Sequence, residues 1–370
     1  MLPSAARSTA PLVEVTRGDL VESSHCGALA VVEARGEGRL LAAVGDPWSA
    51  AYLRSAAKPF QALPTVAAGA LERFGLGDED LAVMCASHHG TAEHVAIVQR
   101  ILDRIGLDVE ALRCGVHWPI DEAAGRALAA AGLEPDARHN NCSGKHAGML
   151  TLARLWGCAD LDYTSPDHPV QQAIRRRLAE MAGLSPEEIP CASDGCTVPT
   201  FALPLAAAAL AYARLVAEDA GADCRRVVAA MQAYPHLVSG HGALDDLLMR
   251  AGRGALVAKG GAEGYQGLGV RTPDGRSVGI ALKVADGNPR AKGPAVLAVL
   301  EALELVTGDV LAELEPLRRP AVLNRRGEVV GEIRPRLGWE LPEEEVLRPE
   351  NGPRERRLPW RQPTPPIRSA

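Results

Sequence analysis

Leu53-Arg54-Ser55-Ala56-Ala57-Lys58-Pro59-Phe60 sets a hydroxyl and an amine three residues apart at the opening of an apolar segment. Residues i and i+3 share a helix face. Pro59 sharpens the placement, because proline is accepted in a first helical turn but costs ~3 kcal/mol in an interior. Ser55 is therefore expected at or near a helix N-terminus. Unpaired amides and the positive end of the helix dipole favour developing negative charge there and disfavour a protonated neighbour, which helps Lys58 act as a neutral base toward Ser55. Taken alone, S-x-x-K also fits a capping serine followed by a solvated lysine.

Working outward, the residues before this stretch read as strands. Leu29 to Val32 and Leu40 to Val44 flank the turn Gly36-Glu37-Gly38 with the punctuation of a hairpin. After it, Phe60, Leu63, Val66, Ala67 and Leu71 follow a helical period, with Pro64 expected to bend or split the helix. Leu81 to Ala86 is a continuous apolar run expected to be a buried strand that ends at Ser87-His88-His89-Gly90. Val95, Val98, Ile101, Leu102 and Ile105 predict a helix stopped by Gly106. The polar cluster His139-Asn140-Asn141-Cys142-Ser143-Gly144-Lys145-His146 precedes a helical segment from Met149 to Trp156.

Val170 to Leu184 has the spacing of a surface helix, and Cys191 to Thr200 is a second polar loop with turn signals. Helices are expected over Leu203–Ala217, Arg225–Tyr234 and Leu244–Met249, then a strand from Gly254 to Ala258 that ends at Lys259-Gly260-Gly261. Gly267 to Val270 and Val278 to Val284 flank Thr272-Pro273-Asp274-Gly275, a hairpin signal. A dense apolar helix from Pro294 to Val306 and a last hairpin, Val322–Asn324 with Glu328–Ile333, complete the pattern. This order predicts an α/β (α+β) architecture: a mixed sheet built from both chain ends, with a helical region packed between and around it. Residues 1–335 read as a single catalytic domain or two closely packed lobes, and the Pro/Arg-rich segment 336–370 as a disordered tail.

The net charge of −6 gives no electrostatic case for nucleic acid or an anionic membrane. The first residues lack the apolar h-region of a signal peptide, and no later stretch reaches ~18 unbroken apolar residues, so a cytoplasmic protein is expected. The 8 cysteines are scattered through 370 residues, which favours reduced core thiols over a disulfide frame. Small polar substrates remain open.

Four groups stand out as chemistry: Ser55 with Lys58, Ser87, Lys259, and the two cysteine loops. Ser87 and Lys259 are expected at the ends of apolar strands, where sites are commonly assembled, though a turn serine and a strand-end lysine reaching to water fit as well. Cys142, Lys145, His146, Cys191 and Cys196 offer soft ligands for zinc or are inert core and turn residues.

At these residues the chain resembles the rhizobial-type L-asparaginases, also called the asparaginase II family. The resemblance runs from about Val13 to Arg334 through Ser55-Ala56-Ala57-Lys58-Pro59, Met84-Cys85-Ala86-Ser87-His88, Leu112-Arg113-Cys114-Gly115, Asn141-Cys142-Ser143-Gly144-Lys145-His146 and Asp194-Gly195-Cys196-Thr197-Val198-Pro199. It implies a fold similar to serine β-lactamases and glutaminases, and hydrolysis of L-asparagine to L-aspartate and ammonia by a homodimer. It further implies two Ser-Lys pairs, Ser55 with Lys58 and Ser87 with Lys259, a zinc held by Cys142, Lys145 and Cys196, and substrate contacts from Arg54, His146 and Asp194. Two rivals stand beside it: a penicillin-recognising serine hydrolase, suggested by S-x-x-K and Lys259-Gly260-Gly261, and a non-catalytic zinc-stabilised protein that binds an amide.

Overall fold

A computed structural model describes residues 9–159 and 162–339. Eleven strands are found among them: β1 (Ala10–Arg17), β2 (Leu20–Glu33), β3 (Arg39–Val44), β4 (Ala50–Tyr52), β5 (Cys191–Ser193), β6 (Pro199–Pro204), β7 (Leu256–Gly261), β8 (Tyr265–Arg271), β9 (Ser277–Val284), β10 (Ala321–Leu323) and β11 (Val329–Pro335). Eight of them form one antiparallel sheet in the order β10-β11-β1-β2-β9-β8-β7, with β3 also on β2. The fourteen-residue β2 makes this branching possible: its first half pairs with β1, its second half with β3, and its other edge with β9. The expected sheet from both chain ends is therefore present, closed by β1 against β11 with Val13 opposite Pro335. A small second sheet, β4-β6-β5, stands apart from it.

The helices are α1 (Lys58–Ala67), α2 (Ala70–Phe74), α3 (Asp78–Met84), α4 (Ala92–Ile105), α5 (Glu122–Ala130), α6 (Ser143–Leu155), α7 (Pro169–Ala182), α8 (Leu205–Leu215), α9 (Ala222–Ala233), α10 (Pro235–Ser239), α11 (Leu244–Ala251), α12 (Lys292–Ala302), α13 (Gly308–Glu313) and α14 (Glu315–Arg318). One face of the sheet is covered by α8, an alanine-rich helix that lies against β2, β8 and β9. Its backbone comes so close that a Cβ at Gly279 would run into the Ala209 carbonyl, and one at Gly267 into the Tyr212 ring. Glycine is used there for want of space rather than for flexibility.

Helix α6 is the centre of the helical region, buried on every side from Ser143 to Ala153 and packed by α1, α3 and α4. It begins earlier than the apolar run at Met149 suggests, so Ser143, Lys145 and His146 lie in its first turns and not in a loop. Helix α1 passes through Pro64 without being split.

Leu81 to Ala86 is a correction. The expected buried strand is helix α3 followed by a turn. Asp78, Glu79 and Asp80 supply negative charge to its first turn, and the Asp80 carboxylate accepts from the Gly77 amide at 2.8 Å. Every residue from Asp80 to Met84 is buried, and total burial erases the periodicity that separates helix from strand. Helix α12 is as dense in apolar residues as expected, and those from Gly293 to Leu300 are almost all buried within this chain.

No helix among the described residues is long and apolar enough to cross a membrane. Of the segment expected to be a tail, residues 340–370 lie outside the described residues.

Candidate functional site

Ser55 sits in a single 3-10 turn, Arg54–Ala57, that feeds directly into α1, with Pro59 in the first helical turn. Three neighbours clamp this turn. The Leu53 amide donates to the Phe201 carbonyl of β6 at 3.0 Å, Tyr212 of α8 donates its hydroxyl to the Ala56 carbonyl at 2.7 Å, and Gly261 of β7 leaves no room for a Cβ beside the Leu53 carbonyl. The serine is thus fixed where the two sheets and the helical region meet.

Lys58 is fully buried and donates to the Ala86 carbonyl at 2.5 Å, to Ser87 Oγ at 2.9 Å and to the Asn141 carbonyl at 3.3 Å. Burial lowers its pKa to about 8, Lys145 and Lys259 push the same way, and Cys142 and Cys196 oppose them. A buried amine near that value is available as a base under mild conditions. Among the described residues no hydrogen bond joins Lys58 to Ser55 or Lys259 to Ser87; the serine bonded to Lys58 is Ser87, carried on the turn after α3.

The residues after Ser87 are structural. His88 Nδ1 accepts from the Gly90 amide at 3.1 Å, which places the proton on Nε2 and lets that atom donate to Ser143 Oγ at 2.8 Å. The Ser143 hydroxyl in turn donates to the Arg138 carbonyl at 2.8 Å. This chain ties α3 to the start of α6.

Lys259 lies inside β7, buried, rather than beyond a strand end. Its Nζ stands 2.9 Å from the Gly260 carbonyl and 3.4 Å from Asp245 Oδ2. Burial lowers its pKa, with Asp245 working against the shift.

The β5–β6 turn supplies the other wall. Arg54 donates through Nε to Asp194 Oδ1 at 2.6 Å, and Asp194 Oδ2 lies 3.7 Å from Lys145 Nζ. Lys145 donates to Cys196 Sγ at 3.0 Å, and Cys142 is hydrogen-bonded to Cys196. Two thiols, an amine and a carboxylate from chain segments about fifty residues apart therefore meet in one buried cluster. Burial disfavours the Lys145 ammonium, but Cys142, Cys196 and Asp194 outweigh it and hold the pKa up; Cys196 and Lys58 hold that of Cys142 well down.

His146 is buried beside this cluster. Tyr163 OH accepts from the Arg113 amide at 2.8 Å and shares a hydrogen bond of 2.8 Å with His146 Nδ1. His146 Nε2 is a buried nitrogen without a hydrogen-bond partner among the described residues. Burial, then Lys145 and Lys58, hold its pKa well down, so the ring is neutral.

Lys58 thus meets Ser87, and Arg54, Asp194, Lys145, Cys196 and Cys142 meet in one cluster, whereas Cys191 is exposed on β5. Tyr163, Gln266 and Asp245 were missed by the sequence reading: Asp245 reads there as an ordinary acid at a helix start, and nothing marks Tyr163 or Gln266. Two surface clefts, one lined by Arg73, Asp103 and Arg154 and the other by Pro235, His236 and Arg250, contain none of the candidate residues.

Zinc favours tetrahedral thiolate and nitrogen ligands. Cys142, Cys196 and Lys145 offer three such donors once the amine has lost its proton, and a fourth position would stay open. The donor set fits zinc, although no group of three or more His, Cys, Asp or Glu suited to a metal is found among the described residues, because one of the three donors is a lysine.

Antiparallel sheet, covering helices and a buried lysine bonded to a serine define a mixed α/β protein. The chain belongs to the L-asparaginase II family, whose model matches residues 13–335. Among solved structures it is similar to Mglu in its native form, with 15% identity and a TM-score of 0.40, over 76% of this chain and 66% of that one. It is also similar to Mglu in its L-glutamate binding form in the presence of 4.3M NaCl, with 15% identity and a TM-score of 0.34, over 75% of this chain and 60% of that one. The chain spans about two thirds or less of the length of these two Mglu chains. No curated protein matches it.

Proposed function

We propose that this chain is an amidohydrolase that converts L-asparagine to L-aspartate and ammonia. The observation that carries the reading is the buried Lys58 amine, its pKa lowered to about 8, bonded to Ser87 beside the clamped Ser55 turn, in a chain of the L-asparaginase II family. In this reading Ser55 Oγ attacks the side-chain amide carbon and Lys58 takes its proton, Lys259 gives a proton to the departing nitrogen, which leaves as ammonia, and Ser87 relays the proton of Lys58 to Lys259, restoring both amines. Water then attacks the aspartyl ester, with Lys58 again as base, and frees Ser55. Arg54 and Asp194 complement the carboxylate and amine of a free amino acid, and the unpartnered His146 Nε2 supplies a hydrogen-bonding atom to the same ligand.

Zinc on Cys142, Lys145 and Cys196 would join the α6 loop to the β5–β6 turn and give substrate a Lewis-acidic contact at its edge. A fold similar to serine β-lactamases and glutaminases, one catalytic domain over 1–335, a homodimer and a cytoplasmic location belong to this proposal.

The test is ammonia release from L-asparagine by wild type, Ser55→Ala and Ser87→Ala, with mass detection of an aspartyl ester. Ser55→Ala is expected to lose at least ~1,000-fold in kcat. Retained wild-type turnover in that variant would remove Ser55 from the chemistry. The hydrogen bond from Lys58 favours a second reading in which Ser87 is the nucleophile, and an ester found on Ser87 selects it.

A further inference from the structure

Asp245 stands in the first turn of α11, 5% exposed, with its carboxylate wholly engaged by the sheet. Oδ2 accepts from the Gly260 amide at 2.8 Å and faces Lys259 Nζ at 3.4 Å, and Oδ1 accepts from Gln266 Nε2 at 2.8 Å. Gly260 and Gln266 are partners across β7 and β8, so one side chain grips both strands at the place where Lys259 projects. A second amine reaches the same spot. A Cβ on Gly260 would lie 2.9 Å from Lys292 Nζ, 3.2 Å from Gln266 Oε1 and 3.5 Å from Asp245 Oδ2, so the space its side chain would take is filled by this cluster.

A buried carboxylate is costly unless paired, and this one is paired with the buried Lys259 amine, with the half-buried Lys292 amine near it. The charged and titratable groups around Lys259 are Asp245 from α11, Lys292 from α12, Cys142 before α6, Lys58 from α1, and Cys85 and His89 on either side of Ser87. Asp245 is the one among them in hydrogen-bond contact with the amine.

We propose that Asp245 is the positioning residue of Lys259: it holds the amine in place at the rim of the sheet, with the Lys292 amine close by. This rests on the reading of Lys259 as a proton-handling residue. A carboxylate in that place keeps the ammonium populated against burial, so that a proton is at hand for the departing nitrogen, while Lys292 limits how firmly it is held. A strap that merely fastens β7, β8 and α11 together would do none of this.

The experiment follows the Lys259 13Cε resonance across pH in full-length protein made with 13C-labelled lysine, the signal being assigned by its loss in Lys259→Arg. In Asp245→Asn the titration midpoint of Lys259 is expected to move down, and kcat for ammonia release from L-asparagine to fall about tenfold with KM within about twofold. In Asp245→Glu the midpoint returns toward wild type. Lys292→Met is expected to move the midpoint up, and it carries the test if Asp245→Asn does not fold. An unmoved midpoint in either folded variant overturns the proposal and leaves Asp245 as a structural strap. A wild-type protein silent on asparagine would defeat the proposed reaction instead, while the resonance still reports on Asp245.

Discussion

Arg54 occupies the left-handed backbone region, with φ of 51°, immediately before the candidate nucleophile. A side chain there costs on the order of 1–3 kcal/mol, which persists only where surrounding contacts enforce it. The ion pair with Asp194 at 2.6 Å helps to hold it there, and in the proposed reading the same pair meets the substrate's charged groups. Arg54→Gly relieves the backbone and deletes the guanidinium. Steady-state kinetics should show KM for asparagine rising about tenfold, ~1.4 kcal/mol of lost binding, with kcat changed less than about threefold, and calorimetry a melting temperature close to wild type.

A different residue governs acid stability. His94 is 2% exposed, stacked 4.9 Å from His88, and burial lowers its pKa to about 4. The unfolded chain takes up a proton near the ordinary value of ~6.5 and the folded chain does not, so the unfolded state binds more protons between the two values. Stability is therefore fully present above about pH 6.5 and falls progressively as the pH drops toward 4, by up to ~3 kcal/mol from this group. Urea unfolding at a series of pH values should show that slope, and His94→Phe should make it shallower, the part due to the likewise buried His88 and His146 remaining.

Among the elements, the contact of α3 with α6 is the tightest near the site. A Cβ on Gly144 would drive into the Val83 carbonyl, and one on Gly148 would press on the Met84 side chain. Overpacking of this kind costs ~1–3 kcal/mol. Gly144→Ala is expected to lower stability by that amount and, because α3 carries Ser87 and α6 follows the Asn141 carbonyl that binds Lys58, to lower turnover as well. Unchanged activity in a folded Gly144→Ala protein would show that the helix contact does not set the Lys58–Ser87 distance.

The same contact marks where sequence reading stops. The hairpins at Gly36-Glu37-Gly38 and Thr272 to Gly275, and the Gly106 stop, were legible because each depends on a few adjacent residues. Leu81 to Ala86 was not, since a run buried on all sides carries no period and the three acids before it decide for helix. The convergence of Ser55, Lys58, Ser87, Cys142, Cys196 and Lys259 was legible only as a resemblance. That Lys58 bonds to Ser87 depends on how α1 meets α3, and that Asp245 grips Lys259 depends on how α11 meets β7; neither packing leaves a mark in the local sequence.

For the whole molecule, the cluster of Cys142, Lys145 and Cys196 joins α6 to the β5–β6 hairpin. Soft thiolates spread much of a zinc ion's charge, and the proposed reaction has a serine as nucleophile, so chelating a zinc bound there should weaken apparent substrate affinity and melting temperature more than turnover. A chelated, folded protein whose kcat falls about a thousandfold with KM unchanged, ~4 kcal/mol in the transition state alone, would overturn that expectation. For oligomeric state, light scattering at micromolar concentration is expected to give the mass of a dimer. A monomer would fit the burial of α12 within its own chain.

The pairing of β1 with β11 also sets a timetable. Thr16 and Glu332 exchange hydrogen bonds across 316 residues of chain, so β1 waits for β11, made much later, before that edge is covered. Contacts that distant slow folding, and an uncovered strand edge invites pairing with other chains in the meantime. Nascent chains released before β11 should therefore collect in aggregates, whereas full-length chains refolded at high dilution should recover in a slow, concentration-independent phase.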